Sequence, residues 1–217
     1  MKYFTAVSPK YLPDANQLVI SAKNFNIDVE VLVLPEETGE LAREQFINKK
    51  PRLILKQLEH YKEPVCWLDS DTRIEQPLEL FKQLEQTNYD FSVLCWEDLI
   101  VEENGEELNL LHCRDFRIPQ PVDFFVPNPP LMCSGGVYVF FNTPGSKYLL
   151  NKWVSVAEKK IEKGIGDDLR LDETYNSLSS IEKNFIKLFP LPCTYNRMVS
   201  HFPKIKPVIN HLMKTGK

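Results

Sequence analysis

Two aspartates, Asp69 and Asp71, stand one residue apart directly after the short apolar run Val65–Leu68. An unbroken run of this length suits a central strand that is covered on both faces of a sheet. Alternate residues of an extended segment point the same way, so the two carboxylates can reach one target. Carboxylate oxygens are preferred ligands of Mg²⁺ and Mn²⁺, and such an ion also binds nucleotide phosphates. The pattern therefore predicts a divalent-cation site at the carboxyl end of this strand, where open parallel sheets bind ligands.

Two other interpretations of Asp69-Ser70-Asp71, the acidic triplet, stay open on the residues alone. Asp69 could cap a following helix while Asp71 is solvated, because isolated Asp-x-Asp sequences arise often by chance. Phosphatases that use an aspartate nucleophile also carry the motif after a strand, usually near the N-terminus, with Thr or Val two residues after the second aspartate. Here Arg73 occupies that position and a whole strand–helix–strand pattern precedes the motif, which disfavours a phosphatase.

The segments before the triplet are typical of a βαβ unit, which brings strand ends to one edge of a sheet. Apolar runs at residues 3–7 and 29–34 flank a segment whose apolar residues recur at helical spacing. Strand, helix and strand in this order favour a parallel sheet with right-handed crossovers. Residues 52–61 predict a further helix, and Pro51 suits its first turn because the missing N–H costs nothing there.

The segments after the triplet complete an α/β pattern. They predict helices at 78–84, 147–163 and 172–178 and strands at 91–95, 136–141, 186–188 and 208–209. Residues 97–130 differ in character, with an acidic hairpin-like piece around Asn104-Gly105 and then a Pro-rich stretch. We interpret them as an excursion from the sheet that forms a loop on the acceptor side of the predicted site. The sequence therefore predicts one α/β domain over residues 1–217, with a mixed, mainly parallel central sheet flanked by helices.

Composition narrows the classes of function. A net charge of -4 does not favour nucleic acid or an anionic membrane as a partner. No apolar stretch approaches the roughly 18–20 residues of a membrane span. The five cysteines are scattered without a Cys-x-x-Cys pair and are interpreted as reduced, buried hydrophobes, which predicts a cytoplasmic location.

Several stretches of the chain resemble GT-A fold glycosyltransferases, the DxD-containing nucleotide-diphospho-sugar transferases, and follow one another in that family's order. They are Lys50-Pro51-Arg52-Leu53-Ile54-Leu55, Trp67-Leu68-Asp69-Ser70-Asp71-Thr72 with Pro77, Ser134-Gly135-Gly136-Val137-Tyr138-Val139-Phe140-Phe141-Asn142, Asp172-Glu173-Thr174-Tyr175-Asn176, Leu191-Pro192-Cys193-Thr194-Tyr195-Asn196 and Val208-Ile209-Asn210-His211 with Lys217. The resemblance implies a GT-A-like fold for the whole chain.

The resemblance also implies roles for individual residues. Asp69, Asp71 and His211 are predicted to bind Mn²⁺ or Mg²⁺. Asp172 and Glu173, at the expected start of a helix, are the catalytic candidates. The predicted donor-binding residues are Lys50, Ser70, Gly135, Gly136 and Lys217, together with Thr5, Ala6, Val7 and Tyr11 by their position at and after the end of the first strand. The glycine pair would let the backbone approach the sugar closely, since glycine has no Cβ.

These residues together predict a metal-dependent glycosyltransferase. It would move a sugar from a nucleoside diphosphate donor, with uridine favoured, to a glycan, lipid-linked or protein acceptor. The stereochemistry, retaining or inverting, stays open. A sugar nucleotide-forming nucleotidyltransferase is disfavoured because residues 5–13 contain no glycine for a triphosphate-binding loop. A sugar-nucleotide-binding module without turnover remains the alternative from a different class.

Overall fold

The computed structural model describes residues 1–95, 131–159, 161–198 and 206–212, and the backbone alone of 100–103 and 106–109. Its strands are β1 (Lys2–Val7), β2 (Val29–Val33), β3 (Val65–Leu68), β4 (Thr72–Ile74), β5 (Phe91–Cys95), β6 (Ile100–Glu103), β7 (Glu106–Asn109), β8 (Cys133–Phe140), β9 (Leu188–Leu191), β10 (Arg197–Met198) and β11 (Ile209–His211). Its helices are α1 (Leu12–Lys23), α2 (Ala42–Ile47), α3 (Lys50–Tyr61), α4 (Glu79–Leu84), α5 (Pro144–Lys159), α6 (Asp167–Asn176) and α7 (Ser180–Phe185).

The central sheet has six strands in the order β2-β1-β3-β8-β5-β9. The pairs β2–β1, β1–β3 and β5–β9 are parallel, while β8 runs antiparallel to β3 and β5. The predicted mixed, mainly parallel α/β sheet is therefore confirmed. All four residues of β3 are buried, as expected for an unbroken apolar run in the middle of a sheet.

Each face of this sheet carries its own apolar core, because alternate residues of a strand point to opposite faces. Phe4 and Trp67 belong to one core together with Trp153 of α5. Leu68 belongs to the other core together with Phe81 of α4. Helices α3 and α5 contribute buried residues to the first core, and α1 and α4 to the second. The strand that carries the acidic triplet is thus held rigidly between two layers of helices.

A second, three-stranded sheet, β10-β11-β4, lies next to the acidic triplet. Strand β11 pairs antiparallel with β4, so that His211 lies opposite Thr72. It also pairs parallel with β10, which places His211 beside Met198. The sequence patterns predicted neither β4 nor β10, because both strands are too short to show a periodicity. This small sheet carries the end of the described chain back to the triplet.

The helix that the sequence patterns placed at residues 172–178 begins five residues earlier. Helix α6 starts at Asp167, and Gly166 before it is extended. Asp167 and Asp168 lie in the first turn, where carboxylates interact favourably with the helix dipole. Asp172 is therefore inside the helix instead of at its start. The predicted start was wrong because the acidic pair Asp172-Glu173 was taken as the first turn, which Asp167 and Asp168 occupy instead.

The excursion between β5 and β8 is described only in part. Strands β6 and β7 pair antiparallel on either side of Asn104-Gly105, which agrees with the predicted hairpin. The remainder of residues 97–130 lies outside the described residues. Among the described helices, none has the length and apolar character needed to cross a bilayer.

Asp90 joins three elements at the edge of the first core. Its buried carboxylate accepts hydrogen bonds from the backbone N–H of Lys187 at 2.7 Å and from the hydroxyl of Thr143. A Cβ at Gly145 would lie 2.5 Å from its carboxyl carbon, so only glycine fits at this place in α5. One carboxylate therefore ties the start of β5 to the first turn of α5 and to the segment that enters β9.

We expect Asp90→Ala to lower the free energy of unfolding by about 2–3 kcal/mol, because it leaves two partly buried donors without their acceptor. Denaturant unfolding followed by circular dichroism measures the change. Asp28→Ala, at an exposed carboxylate, is the control and should leave the stability within experimental error. Equal stabilities of the two variants would contradict this role of Asp90.

Candidate active site

The acidic triplet lies in a tight turn between β3 and β4. The backbone N–H of Asp69 donates to the carbonyl of Gly136 at 2.8 Å. The carbonyl of Asp69 accepts from both the backbone N–H of Thr72 at 2.9 Å and its hydroxyl at 2.7 Å. These bonds connect the turn to β8 and close it on itself. The carboxylates of Asp69 and Asp71 are consequently presented by a rigid backbone.

His211 reaches the triplet through the small sheet. The backbone N–H of Leu212 donates to the carbonyl of Asp71 at 3.1 Å. The imidazole Nε2 of His211 lies 3.3 Å from Asp71 Oδ1 and 4.0 Å from Asp69 Oδ2. One ligand atom from each of the three residues lies within 4.8 Å of the other two. The structure thus brings together the three residues that the sequence predicted as metal ligands.

The chemistry of these three side chains fits a divalent cation. Two carboxylates and an imidazole are a donor set that Mn²⁺ accepts. Burial opposes a charge on the imidazole, but in the protonated ring a hydrogen bond from Nε2 to Asp71 and the charge of Asp69 raise the pKa of His211 above its usual value. Burial likewise favours a neutral Asp69, yet the charges of Lys50 and His211 lower its pKa. The cluster therefore attracts positive charge, which a metal ion can supply.

Lys50 is buried beneath the triplet, at the first turn of α3. Its ammonium lies 2.9 Å from Asp69 Oδ1 and 2.7 Å from Asp167 Oδ2. The Nζ atom also lies 5.0 Å and 5.2 Å from the ring centroids of Trp67 and Tyr138. Burial disfavours the charge, but the two carboxylates outweigh it and raise the pKa of Lys50 above its usual value. Lys50 is thus a permanent cation within the site.

The two oxygens of Asp69 have different partners. Oδ1 accepts from Lys50 Nζ and, at 2.6 Å, from the indole Nε1 of Trp67. Oδ2 is the atom that faces His211 Nε2. A cation held by Asp69 would therefore meet Oδ2, while Oδ1 stays in the hydrogen bonds that fix the side chain.

Asp167 is a site residue that the sequence patterns missed. It lies at the start of α6, where its Oδ2 accepts from Lys50 and, at 2.8 Å, from the hydroxyl of Tyr138. Burial and the nearby charges of Asp69 and Asp168 raise the pKa of Asp167, against the opposing effect of Lys50. The signal that could have found it is a Gly-x-Gly sequence directly before an acidic pair, which is typical of a loop that enters a helix.

The glycine pair in β8 leaves room for side chains of the site. Gly136 has φ +109°, and a Cβ there would lie 2.6 Å from His211 Nδ1. A Cβ at Gly135 would lie 3.3 Å from the hydroxyl of Tyr138 and 3.5 Å from Asp167 Oδ2. His211 therefore packs directly on the backbone of Gly136. A contact of this backbone with a donor sugar stays a prediction.

The two catalytic candidates from the sequence have structural partners. Asp172 is buried, and its Oδ1 accepts from the backbone N–H of Cys133 at 2.8 Å. Glu173 is exposed and pairs with Arg170 at 2.6 Å. Asp172 thus attaches α6 to the start of β8. The catalytic role of Asp172 and Glu173 stays a prediction.

The remaining predicted donor-binding residues are spread along the chain. Thr5, Ala6 and Val7 are buried within β1, and Tyr11 lies at the surface with 36% of its area exposed. Ser70 is half-buried in the turn of the triplet, and Lys217 lies outside the described residues. Of all the predicted donor-binding residues, the structure brings Lys50, Ser70 and the glycine pair to the predicted metal ligands. A donor-binding role for all these residues stays a prediction.

Comparison with known proteins identifies the fold. No protein-family model and no curated protein matches the chain. A glycosyltransferase involved in glycosylation of the major capsid of PBCV-1 superimposes with a TM-score of 0.61 at 14% identity, over 99% of this chain and 94% of that one. The galactosyltransferase LgtC, in complex with donor and acceptor sugar analogues, matches with a TM-score of 0.52 at 10% identity, over 100% of this chain and 88% of that one.

A further match shows that the same fold occurs within longer proteins. The bifunctional glycosyltransferase WbbM matches with a TM-score of 0.59 at 13% identity, over 100% of this chain and 46% of that one. These likenesses confirm, at the level of the fold, the resemblance to GT-A glycosyltransferases. The chain has their mixed α/β architecture.

We expect Gly136→Ala to destabilise the protein far more than Gly39→Ala. Both glycines have positive φ, so each alanine introduces backbone strain of about 1–3 kcal/mol. A Cβ at Gly39 has no atom within 4 Å, whereas one at Gly136 meets the His211 ring. Denaturant unfolding of both variants isolates the effect of that overlap. Equal losses would show that His211 does not pack on Gly136.

Proposed function

We propose that this chain is a metal-dependent glycosyltransferase. It transfers a sugar from a nucleoside diphosphate sugar, a UDP-sugar in the favoured form, to a hydroxyl of a glycan, lipid-linked or protein acceptor. The observation that carries the proposal is the convergence of Asp69, Asp71 and His211 at the carboxyl end of β3. Ligands of open α/β sheets bind at this edge. The solved structures named above share the fold and are glycosyltransferases, which supports the same assignment.

The three metal ligands define the diphosphate end of the proposed site. Asp69 through Oδ2, Asp71 and His211 through Nε2 would hold Mn²⁺ or Mg²⁺. The bound ion would act as a Lewis acid that stabilises the diphosphate leaving group. Lys50 places a second, permanent positive charge against Asp69. It offsets part of the negative charge of the carboxylates and keeps the Asp69 side chain in one orientation.

Asp167 is the carboxylate that we propose for the sugar end of the site. Lys50 and Tyr138 both bind its Oδ2, so its orientation is fixed and Oδ1 carries neither of these bonds. In an inverting reaction, a carboxylate with a raised pKa is suited to accept the proton of the acceptor hydroxyl. In a retaining reaction, the same charge would stabilise the oxocarbenium-like centre. Either role needs the rigid position that Lys50 provides.

The acceptor side of the site is proposed to involve residues 97–130. This excursion leaves the sheet after β5 and returns at Leu131, whose backbone exchanges two hydrogen bonds with the side chain of Asn176 in α6. Strand β8 then leads directly to Gly135 and Gly136. The excursion therefore joins the domain next to the elements that carry the site.

We expect a UDP-sugar with Mn²⁺ to raise the thermal unfolding midpoint of the wild type but not of Asp71→Asn. A ligand that binds the native state stabilises it by mass action, and the neutral amide of the variant would lack the charge that holds the ion. Differential scanning fluorimetry with UDP-, GDP- and TDP-sugars, with and without Mn²⁺, measures the shift. Asp28→Asn is the control and should respond like the wild type. A folded wild type that responds to none of these donors would contradict the proposal.

We expect Asp167→Asn to lower the turnover of the donor by roughly 100-fold or more, because an amide cannot accept a proton or stabilise a cation. Asp172→Asn is the matched variant, since asparagine can still accept the hydrogen bond from Cys133. Release of UDP from the donor in the presence of Mn²⁺ measures turnover, with water as acceptor. A larger loss in Asp172→Asn would instead support the catalytic role that the sequence predicted for Asp172.

A further inference from the structure

Asn196 is a buried residue behind the metal ligands to which the proposed function assigns no role. It ends the short 3₁₀ helix Cys193–Asn196, and its side chain is 0% exposed. Its Nδ2 donates to the carbonyl of Gly135 at 2.7 Å, and its Oδ1 lies 3.2 Å from His211 Nδ1. The amide therefore lies between the glycine strand and the imidazole.

The contacts of the amide determine its orientation. A carbonyl oxygen accepts hydrogen bonds and donates none, so the group that faces Gly135 must be the NH₂ of Asn196. The carbonyl of Ser134, at 3.4 Å from the same nitrogen, requires the same orientation. The opposite orientation would place Oδ1 against two acceptors. Oδ1 therefore faces His211 and accepts its hydrogen bond, which requires the proton of the ring to be on Nδ1.

We infer that Asn196 is a positioning residue that holds His211 as the Nδ1–H tautomer, with the lone pair of Nε2 directed at the metal site. This inference rests on the metal role of His211 in the proposed function. Nε2 lies 3.3 Å from Asp71 Oδ1, so a lone pair there faces a carboxylate oxygen. A divalent cation between the two atoms would replace the repulsion between them by attraction to both. Hydrogen bonds to the second ring nitrogen orient metal-binding histidines in this way.

Gly136 makes the hydrogen bond between Asn196 and His211 possible. A Cβ at this position would lie 2.6 Å from His211 Nδ1 and 2.9 Å from Asn196 Oδ1, so a side chain would occupy the space of both groups. The positive φ of Gly136 and its missing Cβ therefore serve the same contact. The Asn196 amide binds the carbonyl of Gly135, and the imidazole packs on Gly136. The tautomer is thus set by a backbone segment of β8.

The first measurement is the tautomer of His211 in the metal-free protein, read from long-range ¹H–¹⁵N correlation spectra at a pH where the imidazole is neutral. The chain has four histidines, and His211→Gln identifies the signal. The wild type should show Nδ1–H. Asn196→Leu should move the proton to Nε2, where it can donate to Asp71, whereas Asn196→Asp keeps an acceptor and should retain Nδ1–H.

The matched control for loss of a structural amide is Asn176→Leu. Asn176 is the last residue of α6, and its side chain exchanges two hydrogen bonds with the backbone of Leu131. It should lower stability without changing the tautomer. A wild type with Nε2–H, or an Asn196→Leu variant that retains Nδ1–H, would overturn the inference.

The second measurement is Mn²⁺ affinity by electron paramagnetic resonance, without donor or acceptor. Asn196→Leu should bind Mn²⁺ about 10- to 100-fold more weakly than the wild type. Asn196→Asp should lose less, and Asn176→Leu should not change. A changed tautomer with wild-type affinity would overturn the positioning role. Failure of the proposed function looks different: the wild type itself would bind no Mn²⁺, while the tautomer would still depend on position 196.

Discussion

The ammonium of Lys50 is enclosed in the protein between Asp69 and Asp167, and the geometry of the site follows from this contact. A buried charge costs several kcal/mol unless it is paired and hydrogen-bonded, so the three charged groups cannot separate without a large penalty. They come from α3, from the end of β3 and from the start of α6. The pairing therefore holds the turn of the triplet and the first turn of α6 at one distance. Trp67 and Tyr138, which are neighbours on β3 and β8, donate hydrogen bonds to Asp69 and Asp167 respectively.

The excess of negative charge in this region explains how it can bind a cation. Asp69, Asp71 and Asp167 contribute three carboxylates, while Lys50 is a single permanent cation that contacts two of them. Burial strengthens the interactions among these charges. The result is a lowered pKa for Asp69 and raised pKa values for Asp167 and His211. A divalent ion at Asp69, Asp71 and His211 would relieve this imbalance, which agrees with the proposed chemistry.

Backbone geometry supports the site as much as charge does. The turn of the triplet is bonded to Gly136, and the ring of His211 packs on the same residue. Asn196 then connects the imidazole to Gly135. Strand β8, which runs antiparallel within an otherwise parallel sheet, thus contacts Asp69 and His211 through its glycine pair. A side chain at Gly136 would overlap with His211 and Asn196, and one at Gly135 would crowd Tyr138 and Asp167.

The sequence by itself determined the parts of this protein that depend on local pattern. The buried strand Val65–Leu68 follows from an unbroken apolar run, and the alternation of strands and helices follows largely from apolar periodicity. Most predicted elements lie within a few residues of their predicted positions, although α6 begins five residues earlier and β4 and β10 were not predicted. His211 was predicted as the third ligand through resemblance, and its distance from Asp71 confirms that the two residues meet.

Only the tertiary structure decided which distant polar groups meet. The pairing of Lys50 with Asp167, the contact of Asn196 with His211 and the inward position of Asp172 join segments that are far apart in the chain. No periodicity encodes such contacts, because they depend on how the small sheet and α6 pack against β8. A carboxylate in an acidic segment looks alike in sequence whether it faces the site or the core, and burial and hydrogen-bond partners alone distinguish the two.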